Sequence, residues 1–489
     1  MKKGILLVLL LWAAGTVRAS VVSKDDATRI AQQIFASMAG GSQRGGKKAV
    51  TRRAVKPRLA YAAKGAGGDA PSLYVFNAET DGGGFVIVSG DEGSASPVLG
   101  YCDTGTFSYD QIPPNLRDLI EVYAAQIERA RGSEEAQPAE GRPGVPTLKA
   151  PRKVEMGTPV VGPLVTSQWG QEAPYNNLCP DPDTLGRHCL AGCVPIAMAQ
   201  VMNYHRWPER GHNKNGYYYR LYMENLNAID KHKWIEVDFY QSVYDWDHME
   251  TDGDAVARLV YDCGVASEAK YGYDATPAYM NKVEEALRKF FSYKGEGLRT
   301  VTMASEGENF DVLLREELDN HRPAIMAGYP AGEPENGHAF VVDGYDDAGF
   351  FHINFGWNGL WDGYFRSSAI TANKPGIIVM GGPDFTTGCY AIIGIQPNNP
   401  EGHDIDGLVY EVTTGGEARL LYGKNPGELR IPNEVEVDGR TYPVTSIGPY
   451  AFYERTDITN IYLPSYLREV DDFAFYGCNS QNEIGLPQR

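Results

Sequence analysis

Cys193 stands at the mouth of a helical run, Gly192-Cys193-Val194-Pro195-Ile196-Ala197-Met198-Ala199-Gln200. His338 opens an apolar, strand-like stretch, His338-Ala339-Phe340-Val341-Val342. A thiol and an imidazole are the nucleophile and general base that thiol acyl transfer needs. A thiol in the first turn of a helix feels the positive end of the helix dipole, which favours thiolate. Pro195 fits that placement, since proline is tolerated in the first helical turn and rarely deeper. Ala197 and Ala199 let the helix pack closely on whatever carries the histidine. The alternative for Cys193 is a buried small hydrophobe, the usual fate of an unbridged cysteine. Its companions weigh against that. A glutamine-bearing loop, Gln168-Trp169-Gly170-Gln171-Glu172-Ala173-Pro174-Tyr175-Asn176, precedes the cysteine, and His352-Ile353-Asn354-Phe355-Gly356-Trp357 follows the histidine.

From about Val161 to Gln396 the chain resembles the catalytic domain of the streptopain family of papain-like cysteine peptidases. The resemblance rests on Trp169-x-Gln171-x-x-Pro174-Tyr175-Asn176, on Gly192-Cys193-Val194 with Ala197, Ala199 and Gln200, and on Tyr261-Asp262-Cys263-Gly264-Val265. It continues through Gly337-His338-Ala339-Phe340-Val341, Asn354-x-Gly356-Trp357 and Asp362-Gly363-Tyr364-Phe365. It implies Cys193 as nucleophile, His338 as base, Gln171 with the Cys193 N–H as oxyanion donors, and Asn354 orienting His338 beneath an aromatic cover. One departure concerns that cover. The family tends to place tryptophan directly after the asparagine, whereas here Phe355 follows and Trp357 comes two residues on.

An ordinary thiol, pKa near 8.5, is only about 3% thiolate at pH 7. Pairing with an imidazolium at a helix N-terminus lowers such a thiol to roughly 3–4 in papain-like enzymes, and this is the expectation for Cys193. Two other readings compete with an endopeptidase. A transglutaminase-like acyltransferase uses the same nucleophile logic, and a surface adhesin could carry a disabled peptidase fold. Retention of Cys193, His338 and Gln171 speaks against the adhesin.

The rest of the chain fits an exported multidomain enzyme. Its 489 residues exceed one hydrophobic core. The formal net charge of −18 disfavours nucleic acid or an anionic membrane as partner. Lys2 and Lys3, the apolar run Gly4 to Ala14 and Val17-Arg18-Ala19 read as an export signal over 1–19, too short to span a bilayer. No later stretch is apolar enough to span a membrane. Seven cysteines leave at least one unpaired. Cys193 is the natural odd one, Cys179 and Cys189 are expected to bridge, and Cys102, Cys263, Cys389 and Cys478 read as buried thiols. A zinc cluster of Cys179, His188, Cys189 and Cys193 lacks paired Cys-x-x-Cys spacing, so neither metal nor cofactor is expected.

The elements that must position these residues follow an α+β order: a papain-like two-part catalytic domain with an antiparallel sheet over 161–398, an α+β propeptide domain over 20–131 before it, and a short leucine-rich-repeat segment over 399–489 after it. Apolar spacing predicts helices over Asp25–Met38 and Ile112–Arg131, with a hairpin of Ser72–Asn77 and Gly84–Ser89 between them. This unit is similar to the propeptide and inhibitor domains of streptopain-like enzymes. Held on the same chain, it would block the cleft at high effective concentration. Gly41 to Lys48 is a near miss to a phosphate-binding loop, with Lys48 where Ser or Thr should hold magnesium. The Ser, Glu, Pro and Gly composition of 132–160 reads as a linker holding the maturation cleavage.

In the catalytic stretch, helices are expected over Cys193–Tyr204, Ala255–Asp262 and Asn309–Asn320. Strands are expected over Pro323–Gly328, His338–Asp343, Phe350–Asn354 and Gly363–Arg366. Tyr217 to Trp246 reads as aromatic-rich loops. That order puts Cys193 on one wall of a cleft and His338 on the other. Near the C-terminus, Ser446-Ile447-Gly448-Pro449-Tyr450-Ala451-Phe452-Tyr453 recurs as Glu469-Val470-Asp471-Asp472-Phe473-Ala474-Phe475-Tyr476, a period of 23. This resembles bacterial surface leucine-rich repeats. So short an array should be marginal unless it packs on another surface. The expected partners are protein or peptide substrates, the chain's own propeptide, and a protein or cell surface met through the repeats.

Overall fold

The computed structural model describes residues 21–41, 55–64, 70–79, 83–94, 96–135, 156–181, 186–220, 232–306, 309–328, 338–367, 390–398, 402–478 and 483–485. The export signal, most of the near-miss phosphate loop, Cys389 and residues 136–155 of the linker lie outside these residues.

Helix α1 (Lys24–Gly41) buries Ala27, Ala31, Ile34 and Phe35, an i, i+4, i+7, i+8 stripe, against a four-stranded antiparallel unit. Its strands are β1 (Pro57–Lys64), β2 (Pro71–Ala78), β3 (Phe85–Ser89) and β4 (Val98–Cys102). The expected hairpin is the β2–β3 pair, with Val75 opposite Ile87. β1 and β4 were not expected. Helix α2 (Pro114–Glu135) lies on the other face and buries Leu116, Ile120, Tyr123 and Ile127.

The catalytic stretch begins with β5 (Pro159–Val161), α3 (Cys193–His205), and the hairpin β6 (Lys214–Arg220) and β7 (His232–Asp238). That hairpin replaces part of the expected aromatic loops. Its two faces differ: Tyr219, Ile235 and Val237 are buried, whereas Tyr218 and Trp234 are exposed. Helix α4 (Gly253–Ala266) starts where the Asp252 side chain accepts the Asp254 N–H, an N-cap. Helix α5 (Met280–Phe291) buries Met280, Val283, Ala286, Leu287, Phe290 and Phe291 on one stripe. It ends at Ser292 in the left-handed conformation. Then come β8 (Arg299–Thr302), the short α6 (Met303–Glu306), α7 (Asn309–Asp319), β9 (Ala324–Gly328), β10 (His338–Asp346), β11 (Phe351–Asn354), β12 (Gly363–Phe365) and β13 (Tyr390–Ile393).

One antiparallel sheet runs through both regions in the order β1-β2-β3-β4-β12-β11-β10-β9-β13-β8, with β5 on β10. The junction is β4 against β12, Tyr101 opposite Tyr364 and Gly100 opposite Phe365. A side chain at Gly100 would sit 2.4 Å from the Phe365 ring, so only glycine lets the two edges meet. The N-terminal unit is therefore joined to the catalytic sheet by strand pairing as well as by helix packing.

The C-terminal part holds β14 (His403–Ile405), β15 (Leu408–Val412), β16 (Ala418–Gly423), β17 (Gly427–Arg430), β18 (Glu434–Val437), β19 (Arg440–Ile447), β20 (Ile458–Tyr462), β21 (Glu469–Val470) and β22 (Glu483–Gly485). The 23-residue period becomes parallel register: Ile447 pairs with Val470, and Ile461 with Ile484. The same offset stacks Phe452 on Phe475 and Tyr453 on Tyr476.

This array is not a loose appendage. Asn213, 1% exposed in the catalytic stretch, donates to Glu454 O and accepts from Thr456 Oγ1 and the Asp457 N–H. Tyr422 Oη lies 2.7 Å from both His212 Nε2 and Ser292 Oγ. The repeats thus have the supporting surface that a short array needs. Among the described residues, no helix is long and apolar enough to cross a membrane.

Candidate active site

The nucleophile helix starts at a glycine for a steric reason. Gly192 has φ of 93°, and a side chain there would meet the Thr276 carbonyl at 2.5 Å. Thr276 is itself pinned, donating through Oγ1 to Leu190 O and accepting the Gly272 N–H. The chain can turn into α3 only over this backbone, which sets Cys193 at its first position. The sulfur is half-buried and accepts the Ala339 N–H at 3.3 Å, so α3 and the start of β10 meet at the nucleophile.

In this state the thiol is not activated. Burial pushes its pKa up, the N–H groups of Ala339, Val194 and Cys193 pull it down, and the Asp118 carboxylate adds to the rise. The outcome is a raised pKa, opposite to the 3–4 expected for a thiolate–imidazolium pair. Burial is the chief cause, and the carboxylate that adds to it also holds the histidine. His338 Nδ1 is 2.9 Å from Asp118 Oδ2 on α2. The base is engaged by the N-terminal unit, and the same carboxylate disfavours negative charge on sulfur. One turn earlier on α2, Asn115 donates to Phe355 O at 3.0 Å. Between α2 and the sheet, an apolar cavity of about 30 Å³ has Leu119, Val122, Phe340 and His338 in its walls.

Gln171 lies beside the nucleophile segment, its carbonyl accepting the Ala191 N–H at 2.9 Å. Its half-buried side-chain amide has no hydrogen-bond partner among the described residues. Asn354 is not brought to His338. It is 3% exposed, donates to Ser167 O, and accepts from Gln200 Nε2 and the Gly356 N–H. Phe355 is 1% exposed and packs edge-on against Phe365, which makes it core and not cover. Trp357 is partly buried against the same cluster, with Nε1 enclosed and unbonded.

With this geometry in view, comparison with known proteins is decisive. The peptidase C10 family pattern matches residues 169–365, Spi protease inhibitor matches 19–127, and the BspA type leucine-rich repeat region matches 440–489. Streptopain of Streptococcus pyogenes is 29% identical over 67% of this chain and 81% of its own length. The Prevotella intermedia prointerpain A fragment is 27% identical, with a TM-score of 0.50 over 70% of this chain and 99% of the fragment. Active interpain A of the same organism is 32% identical over 48% of this chain and 95% of its own, with a TM-score of 0.40. The chain belongs to the peptidase C10 family. It is a cysteine endopeptidase that carries an inhibitor-type propeptide and leucine-rich repeats.

Within this C10 peptidase, several residues around the site escaped the sequence reading. Asp118 is the most consequential. Its signal was helical spacing, since Asn115, Asp118, Leu119 and Val122 share one face of α2. The buried Asp343–His352 pair, 2.6 Å apart, was also missed. Asp343 accepts the Val165 N–H through Oδ2 and the Leu164 N–H through its carbonyl. The pair thereby anchors the segment that leads into the Trp169 loop. The expected Cys179–Cys189 bridge is not formed; both residues are buried thiols. Their loop is instead closed by the Cys189 N–H to Pro180 O and by Asn176 to Cys189 O. Cys102 and Cys263 are buried as expected, whereas Cys478 is only half-buried, its thiol donating to Phe452 O.

Proposed function

We propose that this peptidase is exported as a zymogen whose propeptide, about residues 20–131, disables it chiefly by holding His338 through Asp118. Cleavage in the 132–160 linker frees that histidine, which then draws the Cys193 proton and generates thiolate. Cys193 attacks the scissile carbonyl and His338 protonates the departing amine. Gln171 and the Cys193 N–H hold the developing oxyanion, donors worth about 3–4 kcal/mol in such a transition state. Asn354 supports the site from behind through the Ser167 carbonyl, with Trp357 screening the same side from water.

The observation that carries this reading is the Asp118–His338 contact next to Cys193, whose thiol pKa is raised by burial and by the Asp118 charge. An adhesin with a disabled site has no use for an inhibitory carboxylate on its histidine. Hydrolysis and amine transfer share the same nucleophile, and the C10 match favours hydrolysis. The repeats fit a protein or cell-surface partner, held at a fixed orientation by the Asn213 and Tyr422 contacts. Substitution of Cys193→Ala tests the assignment. The full chain should remain uncut and hydrolyse no protein substrate; casein hydrolysis by this variant would end the reading.

A further inference from the structure

Gln200 lies on the same stripe of α3 as Cys193, two turns further on, and is completely buried. Its side chain reaches neither solvent nor substrate, yet it is a polar group in the core of the catalytic domain, which calls for a full set of partners. Those partners belong to the two segments that flank the nucleophile. Gln200 Oε1 accepts the Trp169 N–H at 3.4 Å and the Ser167 hydroxyl at 3.3 Å. Gln200 Nε2 donates to Asn354 Oδ1 at 3.1 Å. Asn354 Nδ2 closes the ring by donating to Ser167 O at 2.9 Å. Each amide meets only complementary groups, so turning either one over would set donor against donor.

The ring ties together the loop that carries Gln171, the helix that carries Cys193 and the turn after β11. A further bond, the Asn358 N–H to Trp169 O at 3.0 Å, fixes the loop from the other side. All of these groups belong to the catalytic domain, so removal of the propeptide leaves the ring intact.

We infer that Gln200 is a positioning residue for the oxyanion site: it fixes the Ser167–Gln171 loop relative to Cys193, so that the Gln171 amide meets the developing negative charge. This rests on the reading of Gln171 as oxyanion donor. Gln200 does not act on the thiol, because none of its bonds reaches Cys193 or His338.

The test uses the full chain bearing Gln200→Met, matured by immobilised active enzyme that is then removed, beside Gln171→Ala and the double variant. Gln200→Met should lower kcat by roughly ten- to a hundred-fold, the scale of a misplacement of about 1 Å. KM and the rate of Cys193 alkylation by iodoacetamide should each stay within about two-fold, because the thiolate–imidazolium pair is untouched and only transition-state binding is lost. On the Gln171→Ala background, Gln200→Met should cost less than about three-fold, since groups that act as a unit are not additive. Alkylation falling in step with kcat, or losses that multiply in the double variant, would overturn the proposal. Unchanged turnover in Gln171→Ala alone would instead remove the reading on which it rests. If Gln200→Met does not fold, Gln200→Glu, of the same shape, is carried through the same measurements. Failure of both to fold makes Gln200 a residue of the fold and likewise overturns the proposal.

Discussion

Asp118 on α2 and His338 at the start of β10 face each other at 2.9 Å, carboxylate to imidazole, across the boundary between propeptide and catalytic domain. In the proposed mechanism inhibition requires no segment lying in the cleft, because a thiol with no base to take its proton stays neutral. Asp118→Ala should therefore loosen latency. The uncut variant should be alkylated at Cys193 at least about ten-fold faster than the uncut parent at pH 7, a rate set by thiolate fraction. Equal rates would place the inhibition elsewhere.

Maturation should reverse the direction of the Cys193 shift. In the uncut chain, burial and the Asp118 charge raise the thiol pKa, so thiolate forms only at alkaline pH. Once the propeptide leaves, the imidazolium and the helix N-terminus act together and lower it. The pH profile of iodoacetamide alkylation should have its midpoint above that of a free cysteine before processing and well below it afterwards. Coincident profiles would contradict the mechanism.

Gln171→Ala should fold and process when matured by added enzyme, then turn over about a hundred-fold more slowly, the usual cost of losing one oxyanion donor. Steady-state kinetics on a short peptide read this directly. Full activity would move the donor elsewhere, with Gln168 next in line.

The repeats should be needed for stability of the catalytic domain. Ending the chain near Asn398 strips the cover from Asn213, His212 and Ser292. Asn213→Ala in the full chain removes only the Asn213 links to Glu454, Thr456 and Asp457 and should cost roughly 2–4 kcal/mol, since several partners are left unsatisfied. Thermal unfolding of both variants should begin at lower temperature than in the parent. Unchanged melting would return the repeats to the status of a tethered module.

Acid should destabilise the chain through its buried histidines. Burial lowers the His205 pKa to about 4, and burial with Arg455 and Arg210 lowers that of His212 well below its ordinary value. The unfolded chain protonates both near pH 6.5. Below that pH it binds more protons than the folded chain, so stability falls as pH drops from about 6.5 toward 4. Melting temperature measured across this window should decline less steeply in His205→Asn than in the parent. Identical slopes would exclude His205 as a contributor.

The sequence by itself determined which residues could do chemistry and most elements that hold them. Helical periodicity placed α1, α2, α3 and α7 within a few residues, and alternation placed the β2–β3 hairpin, because both patterns record which side of an element meets a core. The 23-residue period likewise became register, since identical spacing in a parallel stack puts Ile461 over Ile484. Short strands such as β8 and β13 were not legible, because they pair with each other across about ninety residues of sequence and too few residues show the pattern. Only the tertiary structure decided what the named side chains touch. It joined Asp118 to His338, committed Asn354 to Ser167 and Gln200 instead of the base, and left Cys179 and Cys189 unbridged. Periodicity reports burial, but a hydrogen bond depends on angles and distances between segments hundreds of residues apart, and those are fixed only when the sheet closes around them.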